Sequence, residues 1–245
     1  LTRSALATCY AMAENVFAVT QGGIQGPILV DAVSRESLSS HDRALPAEGS
    51  EEVMRMLSAG PPIANTKVRI IDENGEMVAE RTIGEIALKG DSLLSEYYRR
   101  PDITKEAFID GWYKTGDLGY MYKGELFITG RAKELIIVGG KNIYPQDLEA
   151  LIYAVPGVYP GRAVAFGVDN PALGTEDVAI VAEFDESAET DIATVAKMIR
   201  AAIAEGSDVT ARYIEVVERG WLIKTSSGKN ARAANKEKYL REFAN

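Results

Sequence analysis

Four clusters in the chain combine residue types that could do chemistry. Tyr10-Ala11-Met12-Ala13-Glu14 sets an aromatic ring four residues ahead of a carboxylate. A flat ring and a hard oxygen donor could flank one ligand and its divalent cation. A core tyrosine beside a solvated glutamate accounts for the same residues. Tyr113-Lys114-Thr115-Gly116-Asp117 presents a carboxylate with two acceptor oxygens, enough for both hydroxyls of a ribose, or for an ordinary Asx turn. The third cluster, residues 130–149, carries Arg131, Lys133 and Gly139-Gly140-Lys141. Its paired glycines follow an apolar strand and would let a ligand or another backbone approach closely. The fourth, Lys224-Thr225-Ser226-Ser227-Gly228-Lys229, reads as a flexible turn with Lys229 at its tip. It lacks the first glycine of a P-loop and follows no parallel strand unit.

Composition removes several other chemistries. The 245 residues hold one Cys and one His, so an internal disulfide and a zinc site of three or four Cys/His ligands are both excluded within the chain. A Ser-His-Asp or Cys-His mechanism would have to use His41, which lies in a polar, loop-like stretch. Lys and Arg number 27 against 36 Asp and Glu, a net charge of −9 that argues against nucleic acid as a partner. No apolar run approaches the ~18 residues of a membrane span, and the expectation is of no secretory signal. A reducing compartment, the cytoplasm, is the expectation for a chain with a single Cys9.

The elements that must carry these clusters fall into two groups. Alternating polar and apolar residues predict short strands at 66–72, 84–90, 112–113 and 125–129, with a turn at Glu73-Asn74-Gly75-Glu76. They suggest a small antiparallel β-barrel or sheet over about 65–130. Ahead of it, residues 21–58 look like a surface insertion with little structure of its own. Arg131 to Val138 reads as a further strand, and Pro145 starts a helix. Strands at 163–168, 178–184 and 213–217, a helix at 192–203 and a charged helix at 231–243 complete a second, α+β unit. The boundary falls near Gly130-Arg131-Ala132-Lys133, without a linker, which implies a hinge.

Taken in this order, the four clusters resemble the ATP-dependent adenylate-forming superfamily of acyl-CoA synthetases, fatty acyl-AMP ligases, luciferases and adenylation domains. The stretch from Gly84-Glu85-Ile86 through Tyr97-Tyr98-Arg99-Arg100-Pro101 looks like the family's segment ahead of its Thr-Gly-Asp turn. The resemblance covers essentially the whole chain. It implies that residues 1–130 are the end of a large AMP-binding domain that includes the β-barrel. Residues 131–245 would be a mobile C-terminal lid.

The resemblance also implies roles. Tyr10 would stack on adenine, Glu14 would bind the Mg²⁺ that accompanies ATP, and Asp117 and Arg131 would hold the ribose. Lys133 would be the hinge, and Lys229 would enter the site in the first half-reaction. Gly139, Gly140 and Lys141 would then swing towards the path of the acceptor thiol. Ala11, Ala13, Ile223 and Asn230 depart from the usual pattern, and Ala13 puts one hydroxyl contact in doubt.

The insertion, Ala13-Glu14 and the 142–149 segment look closest to fatty acyl-AMP ligases. These pass the acyl group to a carrier-protein phosphopantetheine in lipid metabolism or polyketide biosynthesis. The alternatives are an acyl-CoA synthetase that uses CoA, and a separately made, non-catalytic lid or interaction module. The family's Ser/Thr/Gly-rich phosphate loop and most of the acyl pocket lie upstream of the Tyr…Glu cluster. The expectation is therefore a C-terminal portion of a longer enzyme, inactive without the missing N-terminal portion.

Overall fold

The structure, a computed structural model, describes residues 2, 5–24, 26–40 and 42–243. His41 lies outside the described residues. The chain divides into two compact units, Leu1–Lys133 and Glu134–Asn245. The sequence had suggested a division after residue 130.

The first unit begins with β1 (Thr8–Met12) and β2 (Phe17–Gly22), an antiparallel pair. A 3-10 turn, Ala13–Asn15, joins them and carries Glu14. Val16 closes that turn in the left-handed region, at φ +61°. A β-branched residue there stores about 1–3 kcal/mol of strain, the kind that gathers at ligand-binding turns.

The 21–58 region is more ordered than its composition suggests. It forms β3 (Val30–Ser34), α1 (Arg35–Ser40) and β4 (Val53–Leu57), and β3 pairs antiparallel with β4. Val33, Leu38 and Ala44 pack with Ile83, Tyr120 and Phe127 in one buried cluster. Asp31 is buried and accepts from Arg81 Nη2 and from the Tyr120 hydroxyl, both at 2.9 Å. A run of Ser, Asp, Glu and Gly masked the few apolar and charged contacts that pin this segment.

The strands that follow are β5 (Thr66–Ile71), β6 (Gly84–Gly90), β7 (Phe108–Ile109), β8 (Trp112–Tyr122) and β9 (Glu125–Arg131). The helix α2 (Pro101–Ala107) precedes β7. They make a five-stranded antiparallel sheet ordered β5-β6-β8-β7, with β9 also on β8. Among the described residues no ladder joins its edges, so a half-barrel stands where a closed small barrel was expected. Period-two alternation explains its two faces. Ile70, Ile86, Leu88, Tyr113 and Leu126 point into the cluster that also buries Tyr10 and Val19, while Tyr120 and Phe127 face the inserted segment.

The second unit opens with a hairpin, β10 (Ile136–Val138) and β11 (Lys141–Ile143), and α3 (Pro145–Tyr153). The sequence suggested one strand from Arg131 to Val138, but the 3-10 turn Ala132–Glu134 interrupts it. β12 (Val158–Asn170), β13 (Thr175–Phe184), α4 (Ile192–Gly206), β14 (Ala211–Val217) and α5 (Arg232–Glu242) follow. β12 and β13 are antiparallel, and α4 carries the chain across so that β14 lies parallel to β13. Neighbouring residues of the sheet face opposite ways. Ala163, Ala165 and Ile180 pack on Leu148 and Ile152 of α3 and on Val195, Ile199 and Ile203 of α4. Val164, Phe166 and Val181 pack on Tyr239 of α5. Among the described residues no helix is long and apolar enough to cross a membrane.

Candidate functional site

In the first unit the fold joins Tyr10, Asp117 and Arg131 into one set, and holds Glu14 in a second. Asp117 and Arg131 are register partners across β8 and β9, and Arg131 Nε reaches Asp117 Oδ1 at 3.1 Å. The Tyr10 hydroxyl donates to the other oxygen, Asp117 Oδ2, at 2.5 Å. Tyr10 is buried, whereas the Arg131 side chain is 56% exposed and can turn towards a ligand.

A local irregularity aims Asp117. The β6–β8 register shifts between Glu85, opposite Leu118, and Ala87, opposite Lys114. Thr115, Gly116 and Asp117 are therefore crowded against Ile86, and β8 bulges, as strands often do beside binding sites. Gly116 sits at φ +75° with open space about it, so conformation rather than room calls for glycine. Thr115 Oγ1 donates to the Ile86 carbonyl at 2.9 Å and accepts the Asp117 amide at 3.1 Å. The Gly116 amide donates to Glu85 Oε1 at 2.9 Å. The Thr-Gly-Asp segment is thus a clamped bulge inside a long strand.

Glu14 is half-buried, and two residues outside the predicted set hold it. The Tyr97 hydroxyl donates to Glu14 Oε1 at 3.3 Å, and the Tyr113 hydroxyl lies 2.8 Å from that of Tyr97. The Leu94 amide donates to the Glu14 carbonyl at 2.7 Å, wrapping the 91–100 segment around the turn. Thr104 Oγ1 of α2 in turn accepts the Tyr97 amide at 2.9 Å. Tyr113 had a sequence signal in its place on the alternating, inward face of β8. Tyr97 had none beyond its presence in the family-like segment, since no periodicity covers it.

Protonation follows from burial. Desolvation first, then the hydrogen bond to Asp117 and its negative charge, hold the Tyr10 phenol well above the usual range. Burial and the bond to Tyr97 do the same for Tyr113. Both phenols are fixed as neutral hydroxyls beside carboxylates. Among the described residues no group of three or more His, Cys, Asp or Glu could hold a metal ion. Glu14 is a single carboxylate, and Mg²⁺ is a cation usually held by one or two carboxylates together with substrate phosphates and water.

The second unit places the other predicted residues. Gly139 and Gly140 form the two-residue turn between β10 and β11, at φ +58° and +81°, as a type I′ hairpin requires. Nothing lies near where their Cβ atoms would be, so the turn demands these glycines and no close neighbour does. The Gly139 amide donates to Thr175 Oγ1 at 2.8 Å, and Lys141 Nζ lies 3.5 Å from Asp208. Lys133 is the last residue of the first unit, exposed in the 3-10 turn.

Lys229 stands exposed on a narrow turn. The Thr225 amide donates to the Lys229 carbonyl at 2.8 Å, the Lys229 amide to Thr225 Oγ1 at 3.2 Å, and the Gly228 amide to the Thr225 carbonyl at 2.9 Å. The segment leading in is anchored by the Leu222 amide on buried Glu183 and the Ile223 amide on Asn235 Oδ1, both at 2.8 Å. Asn230, which replaces an apolar residue of the family pattern, donates to the Ala163 carbonyl at 2.7 Å. Among the described residues no ion pair engages Lys229.

Known proteins are similar to this chain over nearly its whole length. The chain is 35% identical over 260 residues to 4-hydroxyphenylalkanoate adenylyltransferase of Mycobacterium tuberculosis, covering 98% of this chain and 41% of that protein. It is 32% identical over 252 residues to the medium-chain-fatty-acid–[acyl-carrier-protein] ligase JamA of Moorena producens, covering 97% and 42%. A solved structure from a study of fatty acyl-adenylate ligases of E. coli and L. pneumophila superimposes with a TM-score of 0.88 at 32% identity, covering 100% of this chain and 44% of that one. The chain belongs to the adenylate-forming ligase superfamily. No family model matches it. It spans less than half the length of each of these relatives, and the similarity extends through both units of this superfamily member.

Proposed function

We propose that the chain supplies the ribose- and metal-binding edge and the lid of an ATP-dependent acid ligase. Such an enzyme forms acyl-AMP and hands the acyl group to a carrier-protein phosphopantetheine thiol. The observation that carries this reading is the two sets Tyr10–Asp117–Arg131 and Glu14–Tyr97–Tyr113 in one unit, with Lys229 on the other in no ion pair among the described residues. In this reading residues 1–130 finish an AMP-binding domain whose half-barrel closes into a small barrel, and residues 131–245 are its mobile lid.

The chemistry follows from charge. A substrate carboxylate oxygen attacks the α-phosphorus of ATP, the bond to the β-phosphate oxygen breaks, and pyrophosphate leaves. Negative charge builds on the α-phosphoryl oxygens, and the Lys229 ammonium stabilises it in a site from which water is excluded. Tyr10 lies against adenine. Asp117 accepts from the ribose hydroxyls, with Arg131 turned to the same sugar. Glu14, steadied by Tyr97, would supply a protein oxygen to Mg²⁺, which would neutralise phosphate charge when bound.

In the second half-reaction the lid turns at Lys133, and the Gly139-Gly140-Lys141 hairpin moves beside the thiol path. The thiol sulfur forms a bond to the acyl carbon and loses its proton to water. The bond to AMP breaks, and AMP leaves. The acyl-carrier-protein acceptor of JamA supports a carrier-protein thiol over CoA.

The test uses the enzyme completed by its upstream portion and a panel of carboxylic acids. Hydroxylamine trapping is expected to yield hydroxamates for one class of acid. A holo carrier protein is expected to accept that acyl group much faster than CoA. Efficient acyl-CoA formation would overturn the choice of acceptor, and no hydroxamate with any acid would overturn the adenylation itself.

A further inference from the structure

The turn that carries Lys229 is exposed, yet the residues after it are tied to the interior of the second unit by one guanidinium. Arg232 Nε donates to the Ala165 carbonyl at 3.0 Å and Nη2 to Glu149 Oε1 at 2.7 Å, while Nη1 donates to Glu134 Oε2. The Arg232 and Glu149 side chains are 13% and 8% exposed, that of Glu134 35%. Glu134 is the residue directly after Lys133. Through space, a single ion pair therefore separates the hinge segment from the foot of the Lys229 turn.

Local helix chemistry does not account for Arg232. It is the first residue of α5, where the positive end of the helix dipole disfavours a cation, and no side chain caps that end. A residue that works against its own element is expected where the site requires it. The Asn230 contact with Ala163 and the Arg232 contact with Ala165 fasten the turn to one strand, β12. Glu134 is the only partner of Arg232 in this set that belongs to the hinge segment.

We propose that Glu134 and Arg232 are positioning residues, which fix the Lys229 turn to the hinge segment so that rotation at Lys133 carries the ammonium as part of one rigid body. The inference rests on the adenylation reading above. Misplacing a charge-stabilising group by about 1 Å costs up to ~100-fold in rate, so a loosened link shows as lost turnover rather than lost binding.

Replacing Arg232 would strand the buried Glu149, so the test uses Glu134→Gln, which keeps shape and leaves that interior pair intact. In the completed enzyme, E134Q is expected to lower acyl-AMP formation by about 10- to 100-fold in kcat. KM for ATP, the melting temperature and acyl transfer from supplied acyl-AMP stay at the parent's values. In the 245-residue chain, the Thr225, Gly228 and Lys229 amides should exchange hydrogen several-fold faster in E134Q. Unchanged adenylation overturns the proposal, as do equal losses in both half-reactions. If the parent forms no hydroxamate with any acid, the adenylation reading fails by itself. Amide exchange in the turn then still decides the coupling, and unchanged exchange overturns it.

Discussion

At the scale of single residues, the site is an arrangement of carboxylates with assigned hydrogen-bond donors. Asp117 has one oxygen on a phenol and one on a guanidinium, and Glu14 has a phenol. Such bonds orient a carboxylate before a ligand arrives, so less ordering is left for the binding step. Lys229 is the opposite case, a cation without an ion-pair partner among the described residues. Its ammonium is free to be delivered, and its removal should cost little stability. Lys229→Ala is expected to lower acyl-AMP formation by about 10²–10³-fold, the loss seen when one preorganised charge stabiliser is deleted. Thioester formation from supplied acyl-AMP should fall by no more than a small factor. Single-turnover assays of the two half-reactions check this, and equal losses would contradict the role.

At the scale of elements, the 21–58 segment behaves as part of the half-barrel. Its hairpin packs on the face of Tyr120 and Phe127, and the Asp31–Arg81 pair closes the contact with side chains 6% and 14% exposed. Arg81 also lies over the Tyr122 ring, its Cζ 3.6 Å from the centroid. Removing one partner of a buried pair leaves the other charge desolvated. Asp31→Ala should therefore cost about 3–5 kcal/mol of stability. Glu52→Ala, which breaks the exposed pair with Arg35, should cost less than about 1 kcal/mol. Urea midpoints of the two variants test the contrast. Equal, small shifts would mean the insert is a loose excursion after all. In the second unit, burial pushes the Glu149 carboxyl up to about 7, and the hydrogen bond from the Ala165 amide at 3.0 Å works against that shift.

At the scale of the whole molecule, the proposed function gives the chain two parts of an adenylating cycle, a nucleotide-binding edge in residues 1–130 and a lid in residues 131–245. It spans 41–44% of the relatives compared above. The Ser/Thr/Gly-rich phosphate loop of the family has no counterpart in it. The 245-residue chain by itself is therefore expected to show no ATP–pyrophosphate exchange, while the completed enzyme exchanges readily. Exchange by the chain alone at the rate of the completed enzyme would refute that expectation.

Much of this was legible without coordinates, for reasons that can be named. Alternation fixed the strands at 66–71 and 84–90 and the faces of the half-barrel, because a period of two leaves few other ways to bury Ile70, Ile86 and Leu88. Pro145 marked the start of α3, since its ring suits the first turn of a helix. The candidate chemistry came from the family resemblance of the four clusters, and the near absence of Cys and His only removed other chemistries. What only the tertiary structure decided were the pairings between distant residues. Tyr97 on Glu14, Asp31 under Tyr120, and Arg232 on Glu134 join positions with no shared period or spacing. Such contacts depend on how elements pack, and local pattern carries no record of them.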